Sequence, residues 1–232
     1  MNYDWQWTRA DSEFRQAITL SPGDATAHKW YFDMLMVAGR RDEAFGEIQR
    51  ALALDPLSPN VLLIMGEWYW DVGRDSAALE QWHKALAINP EHPLALEYAM
   101  RQAWNSGDVE QFFALRERLE AIPPGVAPST GELRRAYVAG GRKEVLRALL
   151  AVSGSRPVDR ARWAGDLGDL NAAFLDLARA ADERDIRLPY VAVWRDYAPL
   201  WNDPRFAALM SRIGVRWDPK ERASVATPAT TP

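Results

Sequence analysis

The chain contains no cysteine. Disulfides, thiolate nucleophiles, zinc ribbons and iron–sulfur ligation are therefore excluded together, and a reducing compartment fits. Histidine is scarce, with only His28, His83 and His92. An excess of positive charge is also missing: 28 Lys+Arg stand against 32 Asp+Glu, a net charge of −4. A general polyanion binder normally carries a basic surplus, so direct nucleic-acid binding is not expected. No apolar run approaches the roughly 18–20 residues of a membrane span, so no membrane insertion is expected. The opening Met1-Asn2-Tyr3-Asp4-Trp5 lacks the basic region and apolar stretch of an export signal, and the expected location is cytoplasmic. At 232 residues the chain suits one or two domains at roughly 150 residues each. It is long enough to bury a core without a covalent or metal staple. What the chain has in surplus is tryptophan, with 11 residues.

Four separate registers share one step. Pro22, Pro56, Pro90 and Pro124 are each 34 residues apart. Ala10, Ala44 and Ala78 keep that step, as do Ala17, Ala51 and Ala85, and so do Gly39, Gly73, Gly107 and Gly141. The phrases AITLSP, ALALDP and ALAINP repeat around the first three prolines. A fixed period of this length signals a stacked repeat architecture.

Each unit holds two stretches with apolar residues at helical spacing. In the clearest unit the first runs from Asn60 to about Asp71, with Leu62, Leu63, Met65, Gly66, Tyr69 and Trp70. Ser58 is placed to cap it and Pro59 suits its first turn. Gly73 can take the left-handed conformation that ends a helix. A second helix starts near Asp75 with Ala78, Leu79, Trp82, Ala85 and Leu86, and Pro90 stops it. Small residues at Gly66, Ala78 and Ala85 allow close approach, while Tyr69 and Trp82 fill the gaps.

Gly66, Tyr69, Gly73, Ala78, Ala85 and Pro90 resemble the tetratricopeptide (TPR) consensus, whose unit is a 34-residue helix pair. The preceding unit, from Ala25, matches with Gly39, Ala44, Ala51 and Pro56. The next, from Pro93, is degenerate: it keeps Gly107 and Pro124 but has Phe112 and Leu119 where small residues belong. A fifth, from about Ala127, keeps Tyr137 and Gly141 and then loses register. A sixth pattern returns at Gly168, Ala173, Leu177 and Ala180. The match is specific over residues 10–92 and weak over 93–182. The resemblance implies an all-α, right-handed TPR-type solenoid of about five to six helical pairs, degenerate in its C-terminal half.

The ends of the array differ from its middle. Ala10, Phe14, Ala17 and Pro22 form half a unit, with no partner helix before them. This predicts that the chain is the C-terminal part of a longer protein, or that it self-associates through this face. Trp5 and Trp7 are read as marking that exposed end. Asp203-Pro204 begins a short helix with Phe206, Leu209, Met210 and Ile213, ended by Gly214. Together with Tyr190, Val193, Trp194, Tyr197, Leu200 and Trp201 it is expected to cap the last helical pair. The "DPRF..L...IG" phrase and the opening "DWQW...A...FRQAI.L.P" resemble the C-terminal TPR regions of bacterial signalling proteins, which follow winged-helix regulators, nucleotide cyclases or Ser/Thr kinases. The expected divisions are 1–124 for regular repeats, 125–218 for degenerate pairs and cap, and 219–232 for a disordered, low-complexity tail.

No catalytic or cofactor chemistry emerges. His28 is expected to be a satisfied interior histidine. His83 and His92 show no metal-ligand spacing. The run Ala139-Gly140-Gly141-Arg142-Lys143-Glu144 lacks the spaced first glycine and the hydroxyl residue of a phosphate loop. Gly165 and Gly168 lack the strand that a dinucleotide fingerprint needs. Ser153 and Ser155 have no base nearby in sequence. Glu43 and Glu47, and the cluster Arg134-Arg135 with Arg142-Lys143, read as solvated faces. No enzyme, metal or cofactor is therefore expected.

The resemblance places the first helix of each pair on an inner wall. Inward positions are then Thr26, Lys29, Asp33, Met36 and Val37 in the second unit. In the third they are Asn60, Leu63, Glu67, Trp70 and Asp71. In the fourth they are Leu94, Glu97, Arg101, Trp104 and Asn105. Trp and Arg are the side chains most often found as binding hot spots. Lys29, Asp33, Leu63, Glu67, Trp70, Asp71, Glu97, Arg101, Trp104 and Asn105 are therefore the candidate partner-binding groove. Trp70, Trp104 and Arg101 would hold a peptide segment or partner helix. The alternative places both tryptophans buried between pairs. Asp33 and Glu67 stand where a carboxylate clamp would want Asn, so a terminal-carboxylate ligand is not expected. The sequence thus points to a noncatalytic protein-interaction module, the sensing or scaffolding region of a bacterial signalling or transcription regulator. The alternatives are a homodimerisation element and a small-ligand sensor in the C-terminal half. Of the remaining tryptophans, Trp82 and Trp30 are read as packing residues.

Overall fold

The computed structural model describes residues 5–219, and the expected disordered tail, 219–232, lies outside the described residues but for its first residue. Among the described residues the fold is all-α, with no strand. The helices are α1 (Trp7–Leu20), α2 (Ala25–Val37), α3 (Arg41–Leu54), α4 (Pro59–Asp71), α5 (Asp75–Ile88) and α6 (Pro93–Ser106). They continue with α7 (Val109–Glu120), α8 (Thr130–Leu150), α9 (Pro157–Leu167), α10 (Leu170–Asp182) and α11 (Pro204–Arg212). Short 3-10 turns occupy Leu188–Ala192 and Arg195–Leu200. Neighbouring helices pair as α2 with α3, α4 with α5, α6 with α7 and α9 with α10, which is the TPR-type solenoid arrangement. No described helix is long and apolar enough to cross a membrane.

Local chemistry sets these boundaries. Asp24, Asp108 and Asp169 accept backbone N–H groups at the starts of α2, α7 and α10. Ser129 and Glu132 form a reciprocal capping box at α8. Pro59 occupies the first turn of α4 as expected, but the Ser58 side chain makes no capping bond. The periodic alanines Ala44, Ala51, Ala78 and Ala85 are fully buried. Gly66 is required by packing rather than by backbone freedom. A Cβ there would lie 2.3 Å from Trp82 Nε1. The Trp82 indole instead lies across the bare backbone and donates to the Leu63 carbonyl at 3.0 Å.

The described chain divides into two compact units. One joins the N-terminal part up to Ile88 with the C-terminal part from Pro189, and the other is Asn89–Leu188. In the first unit, Tyr31 to Val37 of α2 and Val61 to Glu67 of α4 are buried without interruption. A helix buried on all sides needs a cover on the face a bare solenoid would leave open. The C-terminal segment contributes to that cover. The expected capping helix α11 is present, but what its segment covers is the first unit. Trp7 donates its indole N–H to the Ile213 carbonyl at 3.0 Å. Trp5 and Trp7 are accordingly half-buried rather than an exposed end.

The first pairs are held by partly buried polar contacts as well as by packing. Asp11 on α1 accepts from Tyr31 on α2 (2.8 Å) and from Arg40. Burial opposes ionisation of Asp11, but the bonds from Arg40, Tyr31 and Arg15 outweigh it and hold the carboxyl below its ordinary range. His28 is the satisfied interior histidine expected, with Nδ1 at 2.6 Å from Glu47 and Nε2 at 3.1 Å from the Pro22 carbonyl. Trp30 departs from its expected packing role. It is 49% exposed and lies under the Lys29 ammonium, 3.6 Å from the ring centre.

In the second unit the period decays for visible reasons. Phe112, at the register position of Ala78, meets Trp104 at a tilt with ring centres 4.8 Å apart. The α8 span contains a break at Gly140 and Gly141. Gly141 has φ +67° and ψ −152°, a conformation essentially confined to glycine. The sixth pattern returns as α9 and α10, with Ala173, Leu177 and Ala180 fully buried.

Candidate functional site

The inner-wall residues of the first unit are largely covered. Asp33, Leu63, Glu67, Trp70 and Asp71 are buried, as are Met36 and Val37, while Lys29 is half-buried. Thr26 and Asn60 are exposed. Trp194 donates its indole N–H to Glu67 Oε1 at 2.6 Å, across 127 residues of chain. Arg195 Nη1 donates to the Trp70 carbonyl at 3.0 Å and to Asp75 at 2.5 Å, with its guanidinium 5.7 Å from the Trp70 ring centre. Tyr190, Trp194 and Tyr197 form a run of stacked rings. The Trp70 ring meets Trp82 edge-on at 6.3 Å. Thus the 3-10 turns of the C-terminal segment sit on Glu67 and Trp70. These turns belong to the segment expected to cap the last helical pair.

The electrostatics of this wall are acidic. Asp71 is paired with Arg41 at 2.8 Å. Asp33 lies 3.6 Å from the Lys29 ammonium. Burial pushes the Asp33 carboxyl up to about 7, and the nearby Glu67 charge adds to the rise while Lys29 opposes it.

The remaining candidates, Glu97, Arg101, Trp104 and Asn105, belong to the second unit. Arg101 and Trp104 are buried, Glu97 is half-buried, and Asn105 and Leu94 are exposed. The Arg101 guanidinium stands 5.3 Å from the Tyr98 ring centre. The Arg142 guanidinium stands 4.2 Å from the Trp104 ring centre, so this member of the expected solvated cluster caps an aromatic face. Arg134 pairs with Glu117 and Glu110 and lies over Phe113. Trp70 and Trp104 keep one register, yet they fall in different units.

Sequence reasoning missed Arg116. It stands 34 residues after Trp82, so a guanidinium replaces the indole. Gly66 and Glu67 become Met100 and Arg101 at the same step. Arg101, Trp104 and Arg116 line one cleft with Arg162, Trp163 and Asp166. The signal was available in the repeat alignment, but on the second helix of the pair rather than the first.

These features define a helical-repeat protein built from TPR-type pairs. Two solved structures of MamA align with 79% of the chain at 14% identity. The alignments span 86% and 92% of those chains, with TM-scores of 0.42 and 0.43. No protein-family model matches the chain, and no curated protein matches it.

Proposed function

We propose that this protein is a noncatalytic interaction scaffold that holds a partner segment along its inner helices. The supporting observation is the seat of Trp194 and Arg195 on Glu67, Trp70 and Asp75. A polypeptide segment presenting an indole N–H and an adjacent guanidinium satisfies two carboxylates and a helix carbonyl on this wall. A partner segment competing for it would carry the same aromatic–basic chemistry. On this reading the cytoplasmic chain serves as the sensing or scaffolding region of a bacterial signalling or transcription regulator, and the regulator's partner displaces the built-in segment. Trp7, bonded to Ile213, occupies part of the face that the homodimer reading requires.

A labelled peptide of residues 189–201 tests this. It should bind the full chain carrying Trp194→Ala and Arg195→Ala at least about tenfold more tightly than the unaltered chain, whose own segment competes. If the peptide binds neither chain, the wall does not accept a segment in trans and the reading fails.

A further inference from the structure

The cleft of the second unit carries a charge that the fold does not balance. Arg116 on α7 is only 6% exposed. Its Nη2 donates to the Pro128 carbonyl at 2.7 Å. Its Nε has no hydrogen-bond partner among the described residues, and no described carboxylate forms an ion pair with it. Glu120 attracts it from a distance, but the Glu120 carboxylate accepts the Thr130 N–H at 2.8 Å. Buried guanidinium groups are costly and are ordinarily paired. Burial accordingly pulls the Arg116 pKa below its ordinary value.

The surroundings of Arg116 favour an anion with an apolar body. Arg101, Arg116 and Arg162 line the cleft against one carboxylate, Asp166. The walls between these charges are apolar and include Trp104, Phe112, Leu146 and Trp163. At the matching positions of the regular repeat the Trp82 indole packs on the bare backbone of Gly66, whereas Met100 and Arg116 stand here. Planar guanidinium forks match a carboxylate in bidentate fashion. Apolar walls with a few convergent polar groups are the usual make-up of a small-ligand site.

We propose that the cleft formed by Arg101, Arg116 and Arg162 with Trp104 and Trp163 binds an organic carboxylate borne on an aromatic or branched apolar body. The carboxylate meets the Arg116 guanidinium, and the apolar body lies against the two indoles. This site is independent of the segment-binding wall of the first unit.

Titration of the full chain with phenylacetate, indole-3-acetate and isovalerate, read by calorimetry and tryptophan fluorescence, tests the proposal. At least one acid should saturate at millimolar concentration or below. Its neutral carboxamide should bind at least about tenfold more weakly. Arg116→Met keeps an unbranched side chain of similar length and removes the charge. It should lose at least about tenfold in acid affinity while its melting temperature is unchanged or higher. Arg142→Ala, at an exposed position over Trp104, should fold normally and weaken binding by less. Equal binding of acid and amide overturns the proposal. So does full affinity in folded Arg116→Met, saturation by inorganic phosphate without response to the acids, or no saturation by any of the three acids. Should Arg116→Met fail to fold, the acid–amide comparison on the unaltered chain decides alone.

Discussion

The two units place opposite charge at the same register. Glu67 on α4 and Arg101 on α6 are 34 residues apart and both are buried. On the following helices the neutral indole of Trp82 gives way to the guanidinium of Arg116 at the same step. In the first unit the buried acids are met by the chain's own Arg41, Trp194 and Lys29. In the second, the buried Arg116 has only the Pro128 carbonyl as a hydrogen-bond partner among the described residues. The repeat period therefore governs where helices lie, through alanines, capping residues and helix-ending glycines. It leaves the chemistry of each position free. One array can thus carry a wall that its own chain satisfies and a cleft that asks for an outside anion.

The strongest way to break this comparison is at its packing hinge. Trp82→Ala removes the indole that lies on Gly66 and bonds Leu63, and it opens a large cavity. It should cost about 3–5 kcal/mol, measured by urea unfolding. A loss under about 1 kcal/mol would mean that the site collapses, and that the indole is not what separates the regular from the degenerate repeat.

The next effect is electrostatic and depends on pH. The folded Asp33 carboxyl titrates at about 7, above an unfolded value of about 3.9. The fold prefers the protonated form, so this group's contribution is fully present below about pH 4 and is lost as pH rises through about 7. Asp33→Asn should therefore gain stability over the unaltered chain at pH 8, by at most about 4 kcal/mol, and gain none near pH 4. Melting curves at the two pH values decide it. A gain equal at both would place the benefit outside titration.

Trp194→Phe keeps the ring stack with Tyr190 and Tyr197 and deletes the N–H given to Glu67. A hydrogen bond to a buried carboxylate is worth about 1.5–3 kcal/mol, and unfolding of the first unit should be weakened by that amount. Glu67→Gln as a second variant sharpens the result. If the two losses add in full when combined, the side chains act separately and the segment is not held by this bond.

Much of the fold is legible in the sequence because TPR-type pairing is local. The spacing predicts α4 from Asn60 to Asp71, and the helix runs from Pro59 to Asp71. Gly39, Gly73, Gly107 and Gly141 all take positive φ, as their shared register implies. What is not legible is the seat of the C-terminal segment. Trp194 meets Glu67 across 127 residues, and no periodicity encodes a contact of that span. For the same reason Trp30, at a packing-like spacing, turns out exposed, and Trp7 turns out covered. The candidate site is legible in half. Of the expected inward positions, Arg101 and Trp104 line the cleft of the second unit, whereas Arg116 lies on α7, the second helix of its pair, which an inner-wall reading does not reach.

The smallest expected effect separates two adjacent glycines and tests whether the degenerate unit still obeys the array's punctuation. Gly140 has φ −168°, an extended value open to any residue. A Cβ there would approach Glu144 Cγ at 2.5 Å, so Glu144, paired with Arg147, must change its rotamer to admit it. Gly140→Ala should therefore cost about 0.5–1 kcal/mol. Gly141 has φ +67° with open space around it, so an added Cβ meets no neighbour and the whole penalty is backbone strain. Gly141→Ala should cost about 1–2 kcal/mol, read as a shift in the chemical-denaturation midpoint of the full chain. Equal effects at the two positions would show that the break in α8 relaxes into a continuous helix when side chains are added. The fourth glycine of the period would then have lost its helix-ending role along with the rest of the register.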